Sequence, residues 1–433
     1  MTTDLLRKLT QKLDESTATY STLDAYAAGE QPLSYLSPEA RASLGNRLQR
    51  VSVNIPALVV SSIAERLRIT GFVGTPDDPG LWRDWLATDL DQQSGVLHRE
   101  SLILGSSFAV VWADRDGAPQ VSVESARQVA VLTDPGSRRV VAAVKRWATE
   151  TNTEAVLFLP DSITRLRSDS PGATTAGFRT VEVLRNPLGV VPVVPFVNRA
   201  RLLDDGRSEM ADVLALSDAV VKLSTDMLTA SEYGARPRRY ATGVELIEGP
   251  VLDAAGLPVL DGTGEPVIEE TSPYREGDRM LIAEQVDAKF GQLPGSDLAG
   301  YTSALDVLMR QISAVSGLPE HALGIGSSNP TSADSIRASE AALTSKAEAR
   351  QATFGRSWEA VAKLMVAVRH GVDPQAVQIR VKWADPSTRS VAQEADAVTK
   401  LFASGLLPAS VALAKLGYST DEITEIEKAR KAA

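Results

Sequence analysis

The sequence predicts an α+β chain organised around two long helices with a small β-rich insert between them, and three stretches carry that prediction. Residues 186–239 begin as an extended, proline-punctuated apolar segment, LGVVPVVPFVN, and turn at Gly206-Arg207-Ser208-Glu209 into an amphipathic helix. Met210, Val213, Leu214, Ser217, Val220, Val221, Ser224, Met227 and Leu228 recur at steps of three and four, which lays one stripe along a helix. About 25 residues at 1.5 Å each make a rod of roughly 38 Å. It ends at Gly234 and a basic Arg236-Pro237-Arg238-Arg239 cluster. A second helix is predicted over residues 296–316, where Leu298, Tyr301, Leu305, Leu308, Ile312 and Val315 form a near-heptad seam. Residues 237–294 between them are rich in Gly, Pro and acidic residues with short β-like runs. Pattern alone therefore also fits a helical hairpin with a decorated loop.

The other elements follow in chain order. Residues 1 to about 72 read mainly as helix, opening with an amphipathic stretch through Leu5, Leu6, Leu9 and Leu13. Residues 82–104 read as helix again. Between 108 and 184 the runs FAVVWA, VVAAVKRW and EAVLFL collect β-formers between Asp-Gly and Pro-Gly turns and predict a sheet. Residues 319–330 break helical periodicity with Gly324, Gly326, Ser327, Ser328 and Asn329, which predicts a loop. Thr331, with Asp334 three residues on, is placed to cap a long helix carrying Ile336, Ala341, Leu343, Ala347, Phe354, Trp358, Val361 and Met365. That helix ends near Gly371, and Gly355 is a candidate kink site.

Composition narrows the class. At 433 residues the chain exceeds one ordinary core, and 43% hydrophobic with 23% charged residues is typical of a folded soluble protein. Aromatic residues are only 5%, which predicts an interior of Ala, Val and Leu. There is no cysteine, so disulfides, thiol nucleophiles and cysteine metal sites are excluded. No uninterrupted apolar run of about 18 residues predicts a membrane span, and MTTDLLRKLTQKLDES lacks the apolar core of a secretory signal. No repeat with a period of 20 to 50 residues is visible. Net charge is −10, from 45 basic and 55 acidic residues. A protein gripping duplex DNA by displacing counterions shows a basic footprint, and this chain lacks one.

Catalytic constellations are missing where they would be sought. GIGSSNPTS lacks the Gly-Lys-Ser/Thr of a phosphate loop, and no Gly-x-Ser-x-Gly elbow occurs. His98, His321 and His370 each stand apart from a second ligand at helical spacing. The adjacent carboxylates Asp204-Asp205 and Glu269-Glu270 diverge too readily for an acid/base dyad and read as solvated surface. The expectation is a non-enzyme with no cofactor and no metal.

Residues spread along the chain resemble the tailed-bacteriophage portal proteins of the SPP1-like (Gp6-like) family. Tyr26, Gly29 and Pro32 match its opening segment. RVSVNIPALVVSSIAERLRITGF resembles its Asn-containing helix with a Glu-Arg-Leu end and a Gly-aromatic turn. HRESLILGSSFAVVWAD resembles its helix-to-strand step through Gly105 and Phe108, and LGVVPVVPFVN with GRSEM resembles its strand and first long-helix start. SGLPEHALGIGSSNPTSADSIRASEAAL, then WADP, GLLP and LGYSTDEI, follow in the family's order.

The resemblance implies a portal fold: an α/β wing over 1–205, stem helices over 206–235 and 296–317, and a β-rich clip over 236–295. It places a tunnel loop and kinked wing helix over 318–382 and a helical crown over 383–433. It implies a homo-dodecamer ring, sequence-independent contact with double-stranded DNA, and partners in the terminase large subunit, the major capsid and scaffolding proteins and a head–tail connector, with no membrane. The implied location is the portal vertex of the virion, after assembly in the host cytoplasm.

By the same resemblance Gly324, Ile325, Gly326, Ser327, Ser328, Asn329, Pro330 and Thr331 form the loop that touches DNA; a plain surface connector is the other reading. Arg236, Arg238 and Arg239 could meet DNA phosphates or the terminase, or pair with acids of a neighbouring copy or with Glu245 and Glu248. An acidic total charge fits either a channel wall that repels phosphate or a solvated exterior. Another head–tail connector ring and a soluble α/β enzyme remain the rival classes.

Overall fold

The computed structural model describes residues 2–32, 53–75, 78–174, 177–202, 205–235, 239–243, 247–253, 256–271, 287–292, 298–325, 333–387, 391–418 and 420–432. The chain divides into two compact units, one of Met1–Tyr35, Ser52–Val221 and Asp306–Ala433, the other of Leu36–Val51 and Lys222–Leu305.

Helices α1 (Thr2–Ala28) and α2 (Ile55–Ala64), strand β1 (Ile69–Thr75), and helices α3 (Pro79–Ala87) and α4 (Leu90–Leu104) open the chain. Strands β2 (Ser106–Ala113), β3 (Pro119–Ser125), β4 (Val129–Thr133), β5 (Val140–Ala148), β6 (Thr153–Phe158), β7 (Ser162–Ser168), β8 (Arg179–Arg185) and β9 (Val193–Val197) follow. The first long helix is α5 (Leu214–Ala235). Short strands β10 (Arg239–Thr242), β11 (Ile247–Pro250), β12 (Ile268–Thr271) and β13 (Lys289–Gln292) precede the second, α6 (Ala299–Ser316). The 38-residue α7 (Ala333–His370), β14 (Gln378–Trp383), α8 (Val391–Ala403), α9 (Ala409–Lys415) and α10 (Thr420–Ala432) complete it.

The β-former runs split between two antiparallel sheets where one was expected. β3-β2-β9 is one, and β4-β5-β6-β7-β8 is the other. α1 lies on the second through its predicted stripe: Leu6, Leu9 and Leu13 pack with Ala142, Val144, Ala155 and Leu157. Lys12 Nζ donates to the Val131 carbonyl at 3.1 Å, and Arg146 meets Asp14 at 2.5 Å, so the helix is pinned at its polar margins too.

Two local readings are corrected. Residues 69–72 belong to strand β1, because Ile69–Thr75 pairs antiparallel with Gln378–Trp383 far along the chain. The first long helix becomes regular only at Leu214; residues 209–213 are turns, with Val213 N–H donating to Met210 C=O at 2.9 Å. Helical structure runs unbroken through Gly355, whose lack of a side chain makes room for β14: a Cβ there would lie 3.2 Å from Trp383 Nε1 and from Val381 Cγ1.

Ala, Val and Leu make up most of the buried apolar residues, as composition predicts, and the few aromatic residues gather around α7. Phe72, Trp82, Trp85, Phe196, Phe354, Trp358, Trp383 and His98 form one set of ring contacts, and these include four of the six tryptophans. Few aromatics suffice because they are gathered on one seam, where edge-to-face pairs such as Trp85–Trp358 at 4.9 Å add to the area they bury.

The smaller unit contains a feature shorter than the repeat periods considered above. Residues 251–258 and 259–266, VLDAAGLP and VLDGTGEP, are tandem copies of one eight-residue pattern. Each makes the same turn: Asp253 N–H donates to Leu257 C=O and Asp261 N–H to Glu265 C=O, both at 2.8 Å. Val251, Val259 and Val267 close a cycle in which 251 donates to 267, 259 to 251 and 267 to 259, at 2.8 to 2.9 Å. Backbone hydrogen bonds, not buried side chains, hold this segment.

His98 in the aromatic seam yields a pH prediction. Burial pulls its imidazole from 6.5 down to about 3, with the Leu67 carbonyl opposing, and its Nε2 accepts from Trp358 Nε1 at 2.7 Å. Between those values the unfolded chain binds a proton that the folded chain excludes. Stability is therefore complete above about pH 6.5 and lost as the pH falls toward 3. Urea titrations should show a loss of up to about 1.4 kcal/mol per pH unit below 6.5. His98→Gln, which keeps an acceptor, should flatten the profile between pH 7 and 5.

Candidate functional site

Strand β9 ends at Val197, and the chain must leave the sheet, turn and begin a helix. Two glycines permit the crossing. Gly105, which ends α4 at φ 92, and Gly206, at φ 113, face each other so closely that a Cβ on Gly206 would strike the Gly105 carbonyl oxygen. Asn198 fastens the turn: its N–H donates to Gly105 C=O at 2.8 Å, its C=O accepts from Arg207 N–H at 2.9 Å, and its Nδ2 donates to Arg207 C=O at 2.8 Å. Glu209 N–H then donates to Leu102 C=O at 2.8 Å, which aims the Glu209 side chain inward.

The Glu209 carboxylate is 2% exposed. Arg350 Nη2 donates to it at 2.8 Å and Asn198 Nδ2 at 3.2 Å, while Lys346 Nζ stands 3.9 Å away. Lys346 also donates to the carbonyls of Ser316 at 2.6 Å and Val315 at 3.3 Å. Those are final carbonyls of α6, where the helix leaves acceptors unmatched and the dipole favours a cation. One cluster thus joins the segment leading into α5, the end of α6, and α7. Burial holds the Lys346 ammonium below the ordinary lysine range; Glu209 and Asp212 oppose that shift, and Arg199 and Arg350 add to it. Arg199 and Arg207 both meet Asp212, at 2.7 and 2.5 Å, and Tyr26 Oη donates to Asp218 at 2.7 Å from α1.

Of the residues singled out from sequence, Gly324 and Ile325 are described. Gly324, at φ 72, closes a short 3₁₀ turn, Glu320–Leu323, and Ile325 is buried with its N–H on Glu320 C=O at 3.0 Å. Gly326, Ser327, Ser328, Asn329, Pro330 and Thr331 lie outside the described residues, as do Arg236 and Arg238. Arg239 opens β10 opposite Gln292 of β13. Sequence reading missed Glu209 as a buried charge, together with Asn198, Lys346 and Arg350. The available signal was Lys346 and Arg350 at i,i+4, flanking Ala347 on the stripe that α7 buries.

A groove of about 1110 Å³ is lined by Trp112, Trp147, Phe158, Val190 and Val372. Its Glu124 and Lys145 neutralise each other at 2.6 Å. Among the described residues no group of three or more potential ligands could hold a metal, and no helix is long and apolar enough to cross a membrane.

The conspicuous polar cluster braces the three helical segments that it joins. Residues 6–433 match the phage portal protein family, SPP1 Gp6-like, and the chain belongs to that family of structural, non-enzymatic proteins. It is similar to the portal protein of Mycobacterium phage L5, 31% identical over 399 residues, covering 87% of this chain and 78% of that one. The portal protein of Mycobacterium phage D29 is also 31% identical, over 400 residues with the same coverage. Among solved structures, a chain from the neck of a native gene transfer agent particle, computed with C12 symmetry, aligns with TM-score 0.46 and 16% identity over 84% of this chain and 88% of that one.

Removing a buried ion's partner costs about 3–5 kcal/mol. Glu209→Ala should therefore destabilise the larger unit by about that amount in urea titration, because Arg350 loses its counter-charge in a site 14% exposed. Asp212→Ala, on a more exposed pair, should cost about 1 kcal/mol or less.

Proposed function

We propose that copies of this chain associate head to tail into a closed dodecameric ring at one capsid vertex. Double-stranded DNA passes through the ring during packaging by the terminase large subunit and leaves by it at ejection. The ring also contacts the major capsid and scaffolding proteins and carries the head–tail connector and tail. It assembles in the host cytoplasm and ends in the virion.

Membership of the portal family over residues 6–433 is the observation that carries this reading. The second long helix supports it: on its seam Leu298 and Val315 remain 37 and 44% exposed in the single chain, an apolar surface suited to a neighbouring copy. Net charge of −10 per chain multiplies around a ring, and an acidic wall repels phosphate and keeps passage free of tight binding. Ile325 is buried, and the Ser and Asn residues that follow it in sequence can bond the DNA backbone weakly without reading bases. Arg236, Arg238 and Arg239 act at contacts between copies or with the terminase.

Native mass and electron-microscope averages test the ring. A particle near twelve times the 46.2 kDa chain, with a central hole wide enough for a duplex, is expected. Deleting residues 326–329 should leave that particle intact and reduce the DNA retained in assembled heads. A persistent monomer or dimer at every concentration contradicts the ring, and normal filling by the deletion variant contradicts the role given to the loop.

A further inference from the structure

The five-stranded sheet treats its two edges differently. At β4 the edge is closed by α1: Ala130 packs with Leu6, Leu9 and Leu13, and Lys12 Nζ donates to the Val131 carbonyl at 3.1 Å. At the other edge β8, RTVEVLR, pairs on one side only, with β7. All seven of its residues are exposed, and for Val181, Val183 and Leu184 the exposure is 52, 63 and 45%. Asn186 N–H donates to Asp161 C=O at 2.9 Å. Counting back in twos from that pair, Leu184 and Glu182 bond β7, whereas Val183 and Arg185 turn their N–H and C=O away from the sheet. A row of unpaired backbone groups beside large apolar side chains is a template for one more strand.

We infer that β8 accepts an extended, acidic segment of another protein as a sixth strand. Of the strand's charges, Glu182 meets Arg165 at 3.4 Å and Arg179 meets Asp169 at 2.9 Å, which leaves Arg185 without an ion pair among the described residues. Val183 and Arg185 share one face of the sheet, so the residues set opposite them are an apolar one and an acid. Leu184 shares the other face with Ile163, and both line the groove of about 1110 Å³ together with Trp112 and Val190. A residue opposite Leu184 projects on the groove side, where an aromatic side chain suits the apolar lining. Charge argues against a second copy of β8 as the added strand. Antiparallel pairing centred on Glu182 sets Arg179 directly against Arg185 at both ends, and like charges so placed are destabilising. The inference goes beyond the ring reading and stands whether or not a ring closes.

A labelled peptide, Glu-Phe-Val-Thr-Val-Phe-Glu, probes the edge of the full-length chain; its side chains read the same in either direction and so suit parallel or antiparallel addition. Fluorescence anisotropy should saturate on titration, and bound peptide should slow amide exchange at Val183 and Arg185. Replacing both glutamates of the peptide by lysine should weaken binding by about tenfold or more, and Arg185→Glu should reverse the order of the two peptides. Val183→Pro removes an outward N–H at an edge position that tolerates proline. It should weaken binding about tenfold while the circular dichroism spectrum stays unchanged. Equal binding of both peptides by the unmodified chain, binding indifferent to Val183→Pro, or no binding at about 1 mM peptide overturns the inference. Slow exchange at Val183 and Arg185 in peptide-free assemblies, growing with protein concentration, assigns the edge to a second copy and overturns it as well.

Discussion

A carboxylate enclosed by an arginine, a lysine and an asparagine is the constraint on which the placement of the long helices depends. A carboxylate 2% exposed is costly to bury without a partner, and Arg350 is that partner for Glu209. That pairing fixes the segment leading into α5 against α7. Lys346, one turn from Arg350 on the same helix, adds the last carbonyls of α6. α7 can serve as the common post because the buried stripe beside the cluster continues through Phe354 and Trp358, where aromatic packing locks it. The apolar seam sets where the helix lies, and the polar cluster holds the segment leading into α5 and the last turn of α6 against it.

Much of this was legible because periodicity is a local property. The stripes on α1, α5, α6 and α7 are visible in sequence since each repeats at three and four residues within one helix. The exact start of α5 was not, because Met210 and Val213 fit the stripe and are indeed buried, yet lie in turns held by Ser208 and Met210. β1 escaped notice for a different reason. ITGFVGT is short and glycine-interrupted, and its strand character comes from pairing with β14, a partner far away in sequence. The division into two sheets is likewise a matter of non-local pairing. Composition pointed correctly to an interior of Ala, Val and Leu, but 5% aromatics says nothing about whether those few rings meet.

The candidate site was harder to read than the fold. Glu209 sits in a turn-forming stretch where an acid is ordinarily solvated, and only the three-dimensional path brings it to Arg350. Loop residues were nominated by resemblance, and of these the structure describes Gly324 and Ile325 as an anchored start. The histidines illustrate the opposite case. His98 looked bland in isolation and is bland in chemistry: a neutral ring stacked on Phe354 at 5.4 Å and accepting from Trp358, a packing element with a pH dependence attached.

The claim that one buried carboxylate secures both long helices is tested most directly by amide hydrogen exchange on Glu209→Gln, which keeps the shape and removes the charge. The account predicts the largest acceleration at residues 209–217 and 312–318, the two helix ends that meet at the cluster, above the smaller rise that lowered global stability gives the rest of the larger unit. Unaltered exchange at either end, or a uniform rise across the whole unit, would contradict it.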